Sequence, residues 1–290
     1  MEQFNQHCVM GNLEGAQQVA ERLGITVEDV RAKNPMALHR SCYNGFLYIA
    51  RWLVGRFGFT INDACADGNY ALRGACVKGH LHIVQWLVKR FDLNVDDIRN
   101  NNNEALRHAF LYGHLELAQW VVERFDLTAE DARANDNYAL RAACDNGHLH
   151  AAQWLVKRFG LNAEDARADG NYALRRACVN GHLELAQWLV EQFGLTAEDA
   201  RANNNEALRR ACSKGHLCIA QWLVEQFDPT AGDICDWKNE AIQWAYTRGS
   251  LDVAQWLIGH FGITDEDVLA QYPELRPAAG PLVKSAAKLD

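Results

Sequence analysis

Trp52, Trp86, Trp120, Trp154, Trp188, Trp222 and Trp256 stand 34 residues apart, with no insertion between any two of them. A period of that length, kept over seven copies, confines the chain to one supersecondary unit copied and stacked. Such a unit is too small to bury its apolar face alone and must cover it with a neighbour of the same kind. What repeats is scaffold. What departs from the repeat is where specificity is to be sought.

Cut at multiples of 34, the sequence gives eight repeats, 1–34 through 239–272, and a remainder, 273–290. The fourth, residues 103–136, has three segments. In the first, Ala105, Leu106, Ala109 and Phe110 share one helical face, and Glu104, Arg107, His108 and Leu111 the other. Asn103 ahead of it is suited to an N-cap, and Gly113 behind it to a left-handed C-cap. The second segment, His114 to Phe125, is apolar almost all round apart from Glu116, Gln119, Glu123 and Arg124, which predicts a helix covered on several sides. In the third, Thr128 and Asp131 hold the places of a capping box, as do Thr26 and Asp29, Asn94 and Asp97, and Thr264 and Asp267. Each repeat is therefore expected to carry two helices and a short third one, with little or no β structure.

Six of the nine cysteines, Cys8, Cys42, Cys76, Cys144, Cys178 and Cys212, share one repeat position. Stacked helices lie roughly 8–10 Å apart, whereas a disulfide needs Cα atoms within about 7 Å. The column is read as buried, reduced thiols, which points to the cytoplasm, with the nucleus as the alternative. The same spacing sets aside a zinc shared between the Gly-His pairs, whose imidazoles are expected to bond loop backbone between repeats. The Thr-x-Glu-Asp acids recur too regularly for a catalytic dyad. His7, Cys8, His39 and Cys42 form the one unusual His/Cys cluster, and no fixed acid accompanies it. No catalytic residue, metal or cofactor is expected. A net charge of −8 argues against nucleic acid. No apolar run is long enough to span a membrane, and the first residues do not read as a secretory leader.

The run ALR-x-AC, followed by Gly-His-Leu at 79–81, 113–115, 147–149, 181–183 and 215–217 and then by AQWLV, resembles the ankyrin pattern of T-P-L-H-x-A, G-H-L and an apolar second helix. A tetratricopeptide reading fits worse, since each repeat here has two separate breaks. The resemblance covers residues 1–272. It implies an all-α ankyrin-like solenoid of about eight stacked repeats, with the short third helix in place of a β-hairpin and the polar face of the first helix lining a concave groove. The chain looks like the divergent arrays of large-genome viruses and single-celled eukaryotes. It departs from the family pattern where Arg73, Arg107, Arg141, Arg175 and Arg209 replace the family's histidine. Repeats 1–34 and 239–272 read as caps, and 273–290 as a non-repeat tail.

Along the first-helix face, the plain reading of the arginine column is pairing with nearby acids, such as Glu206 with Arg209 or Arg210. The sharper reading gathers Arg175, Arg176, Arg209, Arg210, Lys214 and Arg248 with Trp244 into a partner-binding patch, with His108 and Tyr112 as further candidates. Arg and Trp are enriched at binding hot spots, and cations on an acidic chain favour an acidic partner segment. The expected function is that of a monomeric, non-catalytic protein-interaction scaffold. The alternative is an adaptor that recruits a host factor through the tail, with an enzyme a distant third.

Overall fold

The computed structural model of the chain describes residues 1–31, 36–229 and 248–261. Among them all regular structure is helical, and no strand occurs. The chain divides into two compact blocks, Met1–Leu161 and Asn162–Asp290, and each is built from the same parts. The tail, and all of the last repeat except 248–261, lie outside the described residues, as does Trp244.

In the N-terminal block the second helices are Leu13–Arg22, Leu47–Phe57, Leu81–Phe91, Leu115–Phe125 and Leu149–Phe159. In the C-terminal block they are Leu183–Phe193, Leu217–Phe227 and Leu251–Phe261. Each except the last, whose first helix lies outside the described residues, folds back on the first helix of its repeat through a glycine turn. Gly113 shows why the residue is glycine: its φ is 71°, and a Cβ there would lie 2.6 Å from the ring of His148, one repeat on. Left-handed backbone and close approach exclude a side chain independently. The first repeat replaces the histidine with Asn12, whose Oδ1 accepts from the Gly15 N–H at 2.7 Å and caps the second helix.

The short third segment is helical, and its capping boxes are complete. Thr60 with Asp63, Asn94 with Asp97, Thr128 with Asp131, Asn162 with Asp165 and Thr196 with Asp199 each exchange both hydrogen bonds. The segment then passes into the next first helix through a left-handed turn that the sequence reading did not anticipate. Asp67-Gly68-Asn69, Asn135-Asp136-Asn137, Asp169-Gly170-Asn171 and Asn203-Asn204-Asn205 all have φ between 53 and 64°. Asn, Asp and Gly are the residues that enter this region at least cost.

That turn corrects the reading of its last asparagine as an N-cap. A cap needs extended backbone and a side-chain oxygen that accepts. Here the backbone is left-handed and the side chain donates. Asn69 Nδ2 gives a hydrogen bond to the Asp97 carbonyl at 2.8 Å, and Asn103 Nδ2 to that of Asp131 at 3.4 Å, each 28 residues on, in the third segment of its own repeat. The Oδ1 atoms of Asn69, Asn103, Asn137 and Asn171 are buried and accept no hydrogen bond from the protein.

The core follows the expected faces, with Leu38, Ile49, Leu53, Leu72, Ile83, Leu87 and Leu106 fully buried. Cys8, Cys42, Cys76, Cys144, Cys178 and Cys212 are buried free thiols, and desolvation pushes Cys8, Cys76 and Cys212 up to about 12. The seven tryptophans of the 34-residue ladder are partly buried packing residues. Each sets its ring edge-on to the phenylalanine five residues later, at centroid distances of 5.9–6.2 Å from Trp52–Phe57 through Trp256–Phe261. Among the described residues no helix is long and apolar enough to cross a membrane.

Candidate functional site

The repeated acids belong to the scaffold. Besides closing their own capping boxes, Asp63, Asp131 and Asp199 each take an arginine from the preceding repeat. Arg99 grips Asp131 through two hydrogen bonds of 2.8 and 2.9 Å, Arg167 grips Asp199 at 2.7 and 3.0 Å, and Arg31 grips Asp63 at 2.8 Å twice. The guanidinium first, and the capping N–H with it, hold the Asp131 and Asp199 carboxyls down at about 2 against the burial that opposes them. In the second repeat Cys65 occupies the arginine's place, with its Sγ 3.9 Å from Asp97.

The histidines are committed too. The Nε2 atoms of His80, His114 and His148 lie 3.2, 3.0 and 3.1 Å from the carbonyls of Tyr43, Val77 and Leu111 in the preceding repeat. His216 makes the same bond to Val179. This is the inter-repeat backbone role expected of the Gly-His pairs. At the His7, Cys8, His39, Cys42 cluster, burial raises the Cys8 thiol to about 12 and lowers His39 to about 4. A nucleophilic thiolate needs the opposite shift at cysteine.

The arginine column mostly faces inward, to the left-handed turns. Arg73 bonds the Asp67 carbonyl at 3.1 Å and Glu104 at 2.8 Å, and Arg141 bonds the Asn135 carbonyl at 3.1 Å. Arg175 donates to the carbonyls of Gly170 and Asp169 at 2.7 and 3.0 Å, pairs with Glu206, and is only 6% exposed. Arg209 donates to the Asn204 carbonyl at 2.7 Å. Pairing with acids therefore accounts for part of the column and carbonyls of the turn for more of it, while the guanidinium of Arg107 lies 4.8 Å from the centre of the Tyr138 ring. Arg175, a candidate partner contact by sequence, is an interior lock. The signal that could have found it is an Arg placed six residues after the first member of each Asn/Asp/Gly triplet.

Four cations of the C-terminal block remain at the surface. Arg210, Lys214 and Arg248 are exposed, and Arg176 is partly buried with its guanidinium 5.7 Å from the centre of the Tyr172 ring. Arg210 lies 3.8 Å from Glu206, which Arg175 already shares, and Lys214 donates to Asn180 Oδ1 at 3.0 Å. Arg176 and Arg210 hold one repeat position, and Lys214 and Arg248 another, four residues further on. The result is two short cationic columns side by side. In the N-terminal block, His108 lies 3.7 Å from Glu104 with its pKa lowered, mainly by burial, and its ring is 6.1 Å from that of Tyr112, which is exposed. The surface can offer charge and hydrogen-bond donors to an anionic partner.

A family model described as ankyrin repeats in three copies matches residues 9–97, 38–131 and 106–199. Among solved structures the chain is similar to the human ASB11 ankyrin repeat domain, at a TM-score of 0.57 and 18% identity, over 79% of this chain and 99% of that one. It is also similar to the ankyrin repeat domain of Bcl-3, a member of the IkappaB family, at a TM-score of 0.43 and 22% identity, over 65% of this chain and 85% of that one. No curated protein matches the sequence.

Proposed function

The chain belongs to the ankyrin-repeat family, whose fold is generally a protein-interaction module, and from that premise we propose that it is a non-catalytic scaffold holding an acidic segment of a partner protein against its first-helix face. The observation that carries this reading is the pair of cationic columns. Arg176, Arg210, Lys214 and Arg248 are presented on one regular face of a chain whose net charge is −8. The family relation supports a protein as the partner, and the sign of the face supports an acidic one. Because the locking arginines point inward, specificity falls to the residues that vary between repeats.

The test is reversal of Arg176→Glu and Arg210→Glu together, with binding of a fluorescent Glu/Asp-rich peptide followed by anisotropy at two salt concentrations. Binding weakened at least tenfold, with a shallower salt dependence, is expected. Undiminished binding by a variant with native circular dichroism would overturn the proposal. Cross-linking mass spectrometry of the full chain with partners captured from its host should then place the links in repeats six to eight.

A further inference from the structure

One departure from the repeat leaves a hole. Wherever two described repeats of one block meet from Gly45 onward, a histidine ring of the later repeat covers the turn glycine of the earlier one. His80 lies over Gly45, His114 over Gly79, His148 over Gly113 and His216 over Gly181. The eighth repeat has Ser250 at that position, so among the described residues Gly215 is covered by a serine side chain alone, with Ser250 Oγ 2.7 Å from where a Cβ would stand. An open pocket of about 460 Å³ lies there, lined by Asn180, Ser213, Lys214, His216, Arg248 and Ser250.

The lining sets the ligand's chemistry. Among the described residues it contains two cationic side chains, two hydroxyls, an imidazole and an amide, and no carboxylate. His216 adds shape and not charge: burial lowers its pKa, against the hydrogen bond to the Val179 backbone, and Lys214 lowers it further. Lys214 is drawn over the pocket by its hydrogen bond to Asn180 Oδ1. Two cations match a dianion better than a single carboxylate, and donors on separate backbone segments suit a tetrahedral group better than a planar one.

We propose that the space vacated by the missing imidazole between Lys214, Arg248 and Ser250 is a phosphate-binding pocket, which takes a phosphorylated side chain of the partner segment. Only the identity of the carrier rests on the scaffold reading. The pocket itself stands on the exchange of histidine for serine and on its lining.

The exchange also supplies the test, because Ser250→His restores the ring that repeats three to seven carry and should fill the pocket without harming the fold. The full chain, labelled with ¹⁵N, is titrated with inorganic phosphate at constant ionic strength while the amide signals of Gly215, His216 and Leu251 are followed. A saturable shift confined to this region is expected, with at least tenfold weaker binding in Ser250→His and in Lys214→Ala combined with Arg248→Ala. A phosphoserine peptide should bind more tightly than free phosphate and more tightly than its glutamate counterpart. No saturable shift, or equal binding by Ser250→His and wild type, overturns the pocket. Acidic-peptide binding that needs Arg176 and Arg210 but survives Ser250→His would keep the scaffold reading and remove the pocket alone.

Discussion

At the scale of the residue, Asp131 shows how one side chain serves two repeats. It closes the capping box with Thr128, accepts both arms of Arg99 and lies close to the buried amide of Asn103. The Arg99 hydrogen bonds are the largest cause that brings its pKa down to about 2, below the value of roughly 3.9 that an unfolded chain gives aspartate. A carboxyl whose pKa is depressed by folding adds stability that is complete above the unfolded value and is lost as pH falls through the folded one. Asp131→Asn should therefore be less stable than wild type at pH 6, by about 1 kcal/mol for the weakened cap and exposed ion pair. The difference should shrink between roughly pH 4 and pH 2 and close below that. Urea titrations at pH 6, 3 and 2 measure it. A gap that stays constant down to the lowest pH would mean that the charge of Asp131 is not what Arg99 reads.

At the scale of the element, the left-handed turn between the third helix and the next first helix is the part that sequence reasoning missed. Its middle residue is glycine in Asp67-Gly68-Asn69 and Asp169-Gly170-Asn171, but aspartate in Asn135-Asp136-Asn137, where φ is 54°. A left-handed position costs an ordinary L-residue roughly 1–2 kcal/mol and glycine almost nothing. Asp136→Gly should be neutral or stabilising, then, and Asp136→Val should lose about 1–2 kcal/mol. Thermal and urea unfolding of the two variants will show whether they fall on opposite sides of wild type. The contrast between what could be read and what could not is one of range. The Thr128–Asp131 box and the Gly113 turn are closed by neighbours a few residues away, and local sequence rules name both partners. The Arg99–Asp131 and Asn69–Asp97 bonds reach 32 and 28 residues along the chain. Only the stacking geometry selects those partners from the many arginines, acids and carbonyls available. The candidate site suffered from the same limit. Arg175 and Arg176 are adjacent in sequence, yet one is buried under a left-handed turn and the other is turned outward.

At the scale of the whole molecule, the bonds that hold repeats together within each block recur from junction to junction, so stability should pass from neighbour to neighbour rather than arise in a single core. The junction between the third and fourth repeats offers a sharp place to cut. Gly79 has φ of 71°, and a Cβ there would lie 2.5 Å from His114 Nδ1, the same ring whose Nε2 bonds the Val77 carbonyl. In Gly79→Val a branched side chain is forced into left-handed backbone and expels that ring, removing the turn and the inter-repeat bond together. Amides of Leu13–Arg22, Leu47–Phe57 and Leu81–Phe91, on the N-terminal side of the cut, should exchange hydrogen at least tenfold faster than in wild type. Those of Leu149–Phe159 should keep most of their protection, because their own junction, with His148 over Gly113, is untouched. Hydrogen-exchange mass spectrometry reads both groups in one experiment. Equal acceleration on the two sides would show that the repeats unfold as one body. The 34-residue period would then describe how the chain is built but not how its stability is distributed.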